Sequence, residues 1–184
     1  GGDTVTNPQG LFLSLTLTGR CLSDAPVRRT TAKIGNFVWL TGCVGGAARG
    51  WHVLSEGVVR PGKGGASGPW GDAYRLPALP PLATAGLVAR HAHAAMDVSD
   101  GLLIDARSLA EASGVGLEID LGAVPFAGGA VDETEMLKLA TWGDDYQVLF
   151  TAPESRTEQI AREASEQGIQ LARIGKIIDG SGLS

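Results

Sequence analysis

The chain has 184 residues, a formal net charge of −5, 43% apolar residues and 27 glycines. That apolar share excludes a disordered chain, glycine without a three-residue period excludes a collagen, and two cysteines exclude a disulfide framework or a four-thiolate zinc site. No apolar run reaches the roughly 18–20 residues of a membrane span. The mild acidity disfavours a nucleic-acid surface but leaves nucleotides open, because Mg²⁺ mediates between carboxylates and phosphates.

Residues 11–18 alternate apolar with small polar residues and predict a half-buried strand, followed by a connector over 19–26. Phe37–Thr41 is a short apolar run closed by Gly42, the pattern of a buried strand. Ala47–Ser55 predicts a helix with Trp51 and Leu54 on one face. Residues 60–72 are rich in glycine and contain two prolines, so a flexible loop is expected there. Leu79–His93 is alanine-rich and predicts a helix after Pro80-Pro81, since proline is tolerated in a first turn. Ala94–Val98 is a short strand. Asp100–Ser113 is the clearest helix: Leu102, Ala106, Leu109 and Ala110 share a face, Ser99 or Asp100 can cap its start, and Gly114 follows its end. A strand over 117–121, a helix over 132–141, a strand over 146–151, a helix over 153–167 and a strand over 169–178, broken at Gly175, complete the series. This alternation predicts an α/β (α+β) domain, a mixed β-sheet with helices packed on it. There is no internal repeat.

Three acidic motifs stand out. Met96-Asp97-Val98-Ser99-Asp100-Gly101-Leu102 lies between a strand and the best helix. In such a turn Asp97 and Asp100 can converge on Mg²⁺, a cation that prefers hard oxygen ligands, and the N–H groups of the helix start can receive a phosphate. The same spacing also serves a plain helix cap. Gly1-Gly2-Asp3-Thr4 combines glycines that permit close approach to a phosphate with a carboxylate suited to metal, or forms an ordinary turn. Trp142-Gly143-Asp144-Asp145-Tyr146 places adjacent carboxylates at a strand entrance, where they repel unless a cation or donor is near. Arg28-Arg29 offers guanidinium forks for phosphate or a solvated pair. His91 and His93 do not share a helical face, and no zinc site is expected. Gly1-Gly2-Asp3-Thr4 is not a signal peptide, and Cys21 and Cys43 read as reduced thiols, so a cytoplasmic location is expected.

Taken in order, Gly1-Gly2-Asp3-Thr4, Arg29 with Ala32-Lys33, the Met96–Leu102 motif and Gly143-Asp144-Asp145-Tyr146 resemble the thiamine-monophosphate kinase family. That family belongs to the aminoimidazole ribonucleotide synthetase-like superfamily. The resemblance implies that fold's C-terminal domain and a reaction in which Mg²⁺-ATP phosphorylates thiamine monophosphate to thiamine diphosphate. It implies ATP contacts at Gly2, Asp3, Arg29 and Ser99, Mg²⁺ ligands at Asp3, Asp97 and Asp100, and a substrate contact at Asp144, where the family usually has Glu. It further implies a homodimer, with residues 1–20 as the last strand of an N-terminal ATP-binding and dimerisation domain and 27–184 as a C-terminal domain incomplete at its end. The ends of the chain read accordingly as those of a fragment, expected to have weak or no activity alone. Gly46 stands where the family has Asp, and Trp142 where it has Gly. Alternatives are a relative with another acceptor and a non-catalytic nucleotide-binding fragment.

Overall fold

The computed structural model describes residues 10, 14–16, 18–55, 68–129 and 132–184. Six strands form one sheet: β1 (Phe37–Thr41), β2 (Ala94–Val98), β3 (Gly116–Ile119), β4 (Gln147–Ala152), β5 (Leu171–Ile178) and β6 (Gly182–Leu183). Their order across the sheet is β2-β4-β1-β5-β3-β6. All neighbours are antiparallel except β3 and β6, so the sheet is mixed, as expected. Six helices accompany it: α1 (Gly46–Ser55), α2 (Gly68–Arg75), α3 (Ala83–His91), α4 (Leu102–Ser113), α5 (Glu133–Thr141) and α6 (Thr157–Glu166).

Strand alternation sends side chains to opposite faces, and each face has its own core. On one, Val38, Leu40, Val98, Leu149, Ile174 and Ile177 meet the apolar stripe Leu102, Ala106 and Leu109 of α4. On the other, Trp39, Phe150 and Ala152 pack with Leu87 of α3 and Ile160 and Ala164 of α6. Trp39 and Phe150 stack with ring centroids 6.3 Å apart.

Several expectations change. The strand expected over 11–18 lies partly outside the described residues, and its described members, 14–16 and 18, belong to no strand and are exposed. The final strand is not broken at Gly175. It runs unbroken from Leu171 to Ile178, and a bulge against β1, between Val38 and Trp39, leaves Ile174 as an extra residue. The bulge shifts the alternation by one, which puts Ile177 on the same face as Ile174. The end of the glycine-rich stretch is helix α2, and residues 60–67 lie outside the described residues. Helix α3 begins at Ala83, after the two prolines, but ends at His91 rather than His93. Helix α1 buries Ala47 and Gly50 rather than Trp51, which leans on Tyr74 of α2 at 5.4 Å. Gly182-Leu183, beyond the last expected strand, adds a further short strand alongside β3.

The register decides where loops meet. Val98 pairs with Gln147, Leu40 with Leu149, and Thr41 with Leu171. The ends of β1 and β2 and the starts of β4 and β5 therefore share one edge of the sheet. The loops 42–46, 99–101 and 142–146 all open there.

Candidate active-site corner

The turn after β2 is held from within α4. Asp105, in the first turn of that helix, is buried on its apolar face. Its Oδ2 accepts the N–H groups of Ser99 at 2.9 Å, Asp100 at 3.0 Å and Gly101 at 3.2 Å. Burial pushes the Asp105 carboxyl up, the three N–H groups oppose that shift, and the Asp100 charge adds to it. Neither Ser99 nor Asp100 caps the helix, contrary to the sequence expectation. Asp105 takes the N–H groups of the turn itself, residues 99–101, while the first N–H groups of α4, from Leu102 onward, receive no side-chain cap.

The second acidic motif comes to the same place. The Asp144 N–H donates to the Ser99 carbonyl at 2.8 Å. Glycine permits this approach on both sides. A Cβ at Gly101, whose φ is 122°, would sit 2.7 Å from the Thr141 carbonyl oxygen, and one at Gly143 would strike the Ser99 carbonyl oxygen. Asp144 and Tyr146 hold left-handed backbone at φ 69° and 50°, an uncommon conformation for residues with side chains and one that clusters at functional sites.

Asp144 and Asp145 point to different tasks. Asp145 is buried, and its carboxylate accepts the N–H groups of Gly45 at 2.6 Å and Ala47 at 3.1 Å, so it caps the start of α1. Burial pushes its carboxyl up, against the pull of the Gly45, Ala47 and Gly46 N–H groups. Asp144 stays at the surface, where the Tyr146 hydroxyl donates to its Oδ1 at 3.3 Å. The charge of Asp144, with smaller contributions from Asp100 and Asp97, raises the Tyr146 phenol above its ordinary value. The Asp144–Ser99 backbone bond and the β2–β4 register thus bring the loops that carry Asp97, Asp100 and Asp144 to one corner. Ser99 is there as well, half-buried.

Gln147 ties the corner to its surroundings. Thr41 Oγ1 donates to its Oε1 at 3.0 Å, and its Nε2 donates to the carbonyls of Ala78 at 2.9 Å and Asp145 at 3.1 Å. A cavity of about 270 Å³ opens beside it, lined by Thr41, Cys43, Pro80 and Gln170 among others. Cys43 and Cys21 are both free thiols.

Arg29 is not at this corner. Its carbonyl accepts the hydroxyl of Ser113, the last residue of α4, and the Arg28 carbonyl accepts the Ala95 N–H at the start of β2. Helix α4 has 12 residues, about 18 Å at 1.5 Å per residue, and separates the Arg29 backbone from Asp100. Gly2 and Asp3 lie outside the described residues.

The donor set suits a hard divalent cation. Asp97, Asp100 and Asp144 have no Lys or Arg partner among the described residues, and the neighbouring start of α1 is already capped by Asp145. Among the described residues no three His, Cys, Asp or Glu side chains form a ready-made metal cage. A site of one or two carboxylates completed by phosphates and water is the usual manner of Mg²⁺ binding.

Sequence reasoning passed over Asp105 and gave Asp145 no capping role, although each had a signal. Asp105 falls on the apolar stripe of α4, where a carboxylate needs donors. Asp145 is in phase with Gln147, Leu149 and Thr151, the inward positions of β4.

A family model described as AIR synthase related protein, C-terminal domain, matches residues 33–184. Thiamine-monophosphate kinase of Caulobacter vibrioides is 32% identical over 194 residues, covering 100% of this chain and 53% of that protein. The Salmonella typhimurium protein of the same name is 29% identical, covering 96% and 54%. A crystal structure of thiamine-monophosphate kinase from Stenotrophomonas maltophilia superposes with a TM-score of 0.76 at 30% identity, over 85% of this chain and 52% of that one. A structure described as AaThiL complexed with AMPPCP and TMP shares the fold, with a TM-score of 0.70 at 24% identity over 88% and 51%. The chain spans about half the length of the curated relatives it matches. Among the described residues no helix is long and apolar enough to cross a membrane.

Proposed function

The chain belongs to the family of AIR synthase related protein C-terminal domains, and from that premise we propose that it serves a kinase acting on thiamine monophosphate. The intact enzyme moves the γ-phosphoryl group of ATP onto the substrate phosphate, giving thiamine diphosphate and ADP. Relatives named thiamine-monophosphate kinase, matched over nearly the whole chain, support this reading, as does the relative bound to AMPPCP and TMP. The observation that carries it is the meeting of Asp97 and Asp100 with Asp144 at one edge of the sheet.

The chemistry explains the residues. Donor and acceptor are both polyanions, so repulsion is the first obstacle. Bound Mg²⁺ supplies charge neutralisation and polarises the transferring phosphoryl group. Asp97 and Asp100 hold it, with Asp3 as a further ligand, and Gly2, Asp3 and Ser99 contact ATP. A phosphate monoester is already nucleophilic, so none of these carboxylates need accept a proton. Asp144 faces the acceptor, and its charge suits the cationic thiazolium ring. Arg29, at the far end of α4, contacts ATP away from the metal. Residues 27–184 form the C-terminal domain and residues 1–20 the end of a preceding one, a division supported by the family match starting at Lys33 and by relatives about twice as long. The intact protein is read as a cytoplasmic homodimer, and the 184 residues alone as a weak or inactive kinase.

A second reading, a related enzyme with another acceptor, is favoured by Gly46 and Trp142, which depart from the family pattern. One experiment separates the two. The intact protein is supplied with Mg-ATP and either thiamine monophosphate or other phosphate and carboxylate acceptors. Formation of thiamine diphosphate alone supports the kinase, and turnover of another acceptor in its place contradicts it. Asp97→Asn and Asp100→Asn are each expected to lower turnover about a hundredfold or more with an unchanged melting temperature. Near wild-type turnover at saturating Mg²⁺ sinks their assignment.

A further inference from the structure

We propose that Asp105 is a positioning residue for the metal-holding turn, an inference that rests on the reading of Asp97 and Asp100 as Mg²⁺ ligands. A helix start leaves N–H groups without partners, and the common remedy is a Ser or Asp just before the helix. Here that remedy would draw the Ser99 or Asp100 side chain inward onto the backbone. Helix α4 instead has no cap from the residues before it. Asp105 reaches back from inside the helix, and one oxygen gathers the N–H groups of Ser99, Asp100 and Gly101 at 2.9–3.2 Å.

Two consequences follow from that arrangement. The peptide planes of three consecutive residues are fixed, so the directions of the Ser99 and Asp100 side chains are fixed with them. The Ser99 and Asp100 side chains also cap no helix, and Asp100 is left exposed at the corner. Asp105 is 3% exposed on the face of α4 that buries Leu102, Ala106 and Leu109, so it cannot itself reach a ligand in solvent. Its contribution passes through the backbone it holds. Residues that orient metal ligands in this way typically govern affinity by about 10–100-fold.

The test is Mn²⁺ affinity of the intact protein without nucleotide, read by electron paramagnetic resonance, together with hydrogen exchange at the Ser99, Asp100 and Gly101 amides. Asp105→Asn keeps the shape but loses the charge and one acceptor. It is expected to weaken Mn²⁺ binding about tenfold and to speed exchange at the three amides. Asp105→Glu, which keeps the charge, is expected to recover part of the affinity. Leu109→Ala, in the core of the same helix, lowers stability without touching the turn and is expected to leave Mn²⁺ affinity unchanged. Wild-type affinity in both Asp105 variants, or equal weakening in Leu109→Ala, overturns the proposal. Asp97→Asn and Asp100→Asn distinguish the levels of failure. If they also bind Mn²⁺ as wild type does, the metal reading itself is wrong. If they lose binding and the Asp105 variants do not, only the positioning role falls.

Discussion

A single missing side chain, that of Gly143, lets the two acidic loops touch. Its Cα faces the Ser99 carbonyl, and the next residue donates its N–H to the same oxygen. Gly143→Ala is therefore expected to destabilise the fold by about 1–3 kcal/mol, an overpacking cost, and to lower activity by separating Asp144 from Asp100. Thermal melting and turnover check this, and a fully active variant of wild-type stability contradicts it. Arg29→Ala is expected to raise the KM for ATP and leave the Mg²⁺ dependence unchanged, because its backbone lies at the other end of α4. A shifted Mg²⁺ dependence would bring Arg29 back to the corner. At this scale the sequence exposed the ligands better than their supports. Asp100 and Asp144 stand out as acidic residues beside glycines, and Asp97 by its spacing from Asp100. Asp145 shares the motif of Asp144 and Asp105 lies in the stripe of α4, but both bond to backbone N–H groups, so their supporting task does not show in the motif.

Elements were legible where one local pattern set both ends. Strand β2 and the end of α4 at Gly114, in left-handed backbone with φ 67°, match their expected positions. Helix α5 begins as its sequence suggests, with the Asp132 side chain accepting the Glu135 N–H at 2.9 Å. The bulge at Ile174 was not legible, because it is defined by the partner strand. Helix α2 was hidden by a composition that reads as a loop. One link between elements has a pH consequence. Glu163 of α6 accepts Arg90 at 3.0 and 3.2 Å and lies 3.1 Å from His91 Nε2, both residues ending α3. Contact with His91, then with Arg90, holds the Glu163 carboxyl down from 4.5 to about 2. Its folded value lies below its unfolded one, so its contribution to stability is complete above pH 4.5 and lost as the pH falls through about 2. Between those values Glu163→Gln is expected to lose less stability with acid than the wild type does. Equal slopes in acid denaturation would remove this link from the account.

At the scale of the molecule, register gathers the site. Two adjacent strands, edge strand β2 and its neighbour β4, bring the motifs at 97–101 and 142–146 together although more than forty residues separate them. The order of motifs in the sequence could not show that Arg29 lies at the opposite edge, since chain order says nothing of which end of a strand a loop meets. The central claim is that these two loops, and not the Arg29 segment, form one cation-binding corner. Paramagnetic broadening of amide resonances by Mn²⁺, titrated into the intact ¹⁵N-labelled protein, tests it most directly. The account predicts that residues 97–101 and 143–146 broaden together at the lowest Mn²⁺ concentrations while residues 28–32 keep their intensity. Broadening of 28–32 first, or of only one of the two acidic loops, would contradict it.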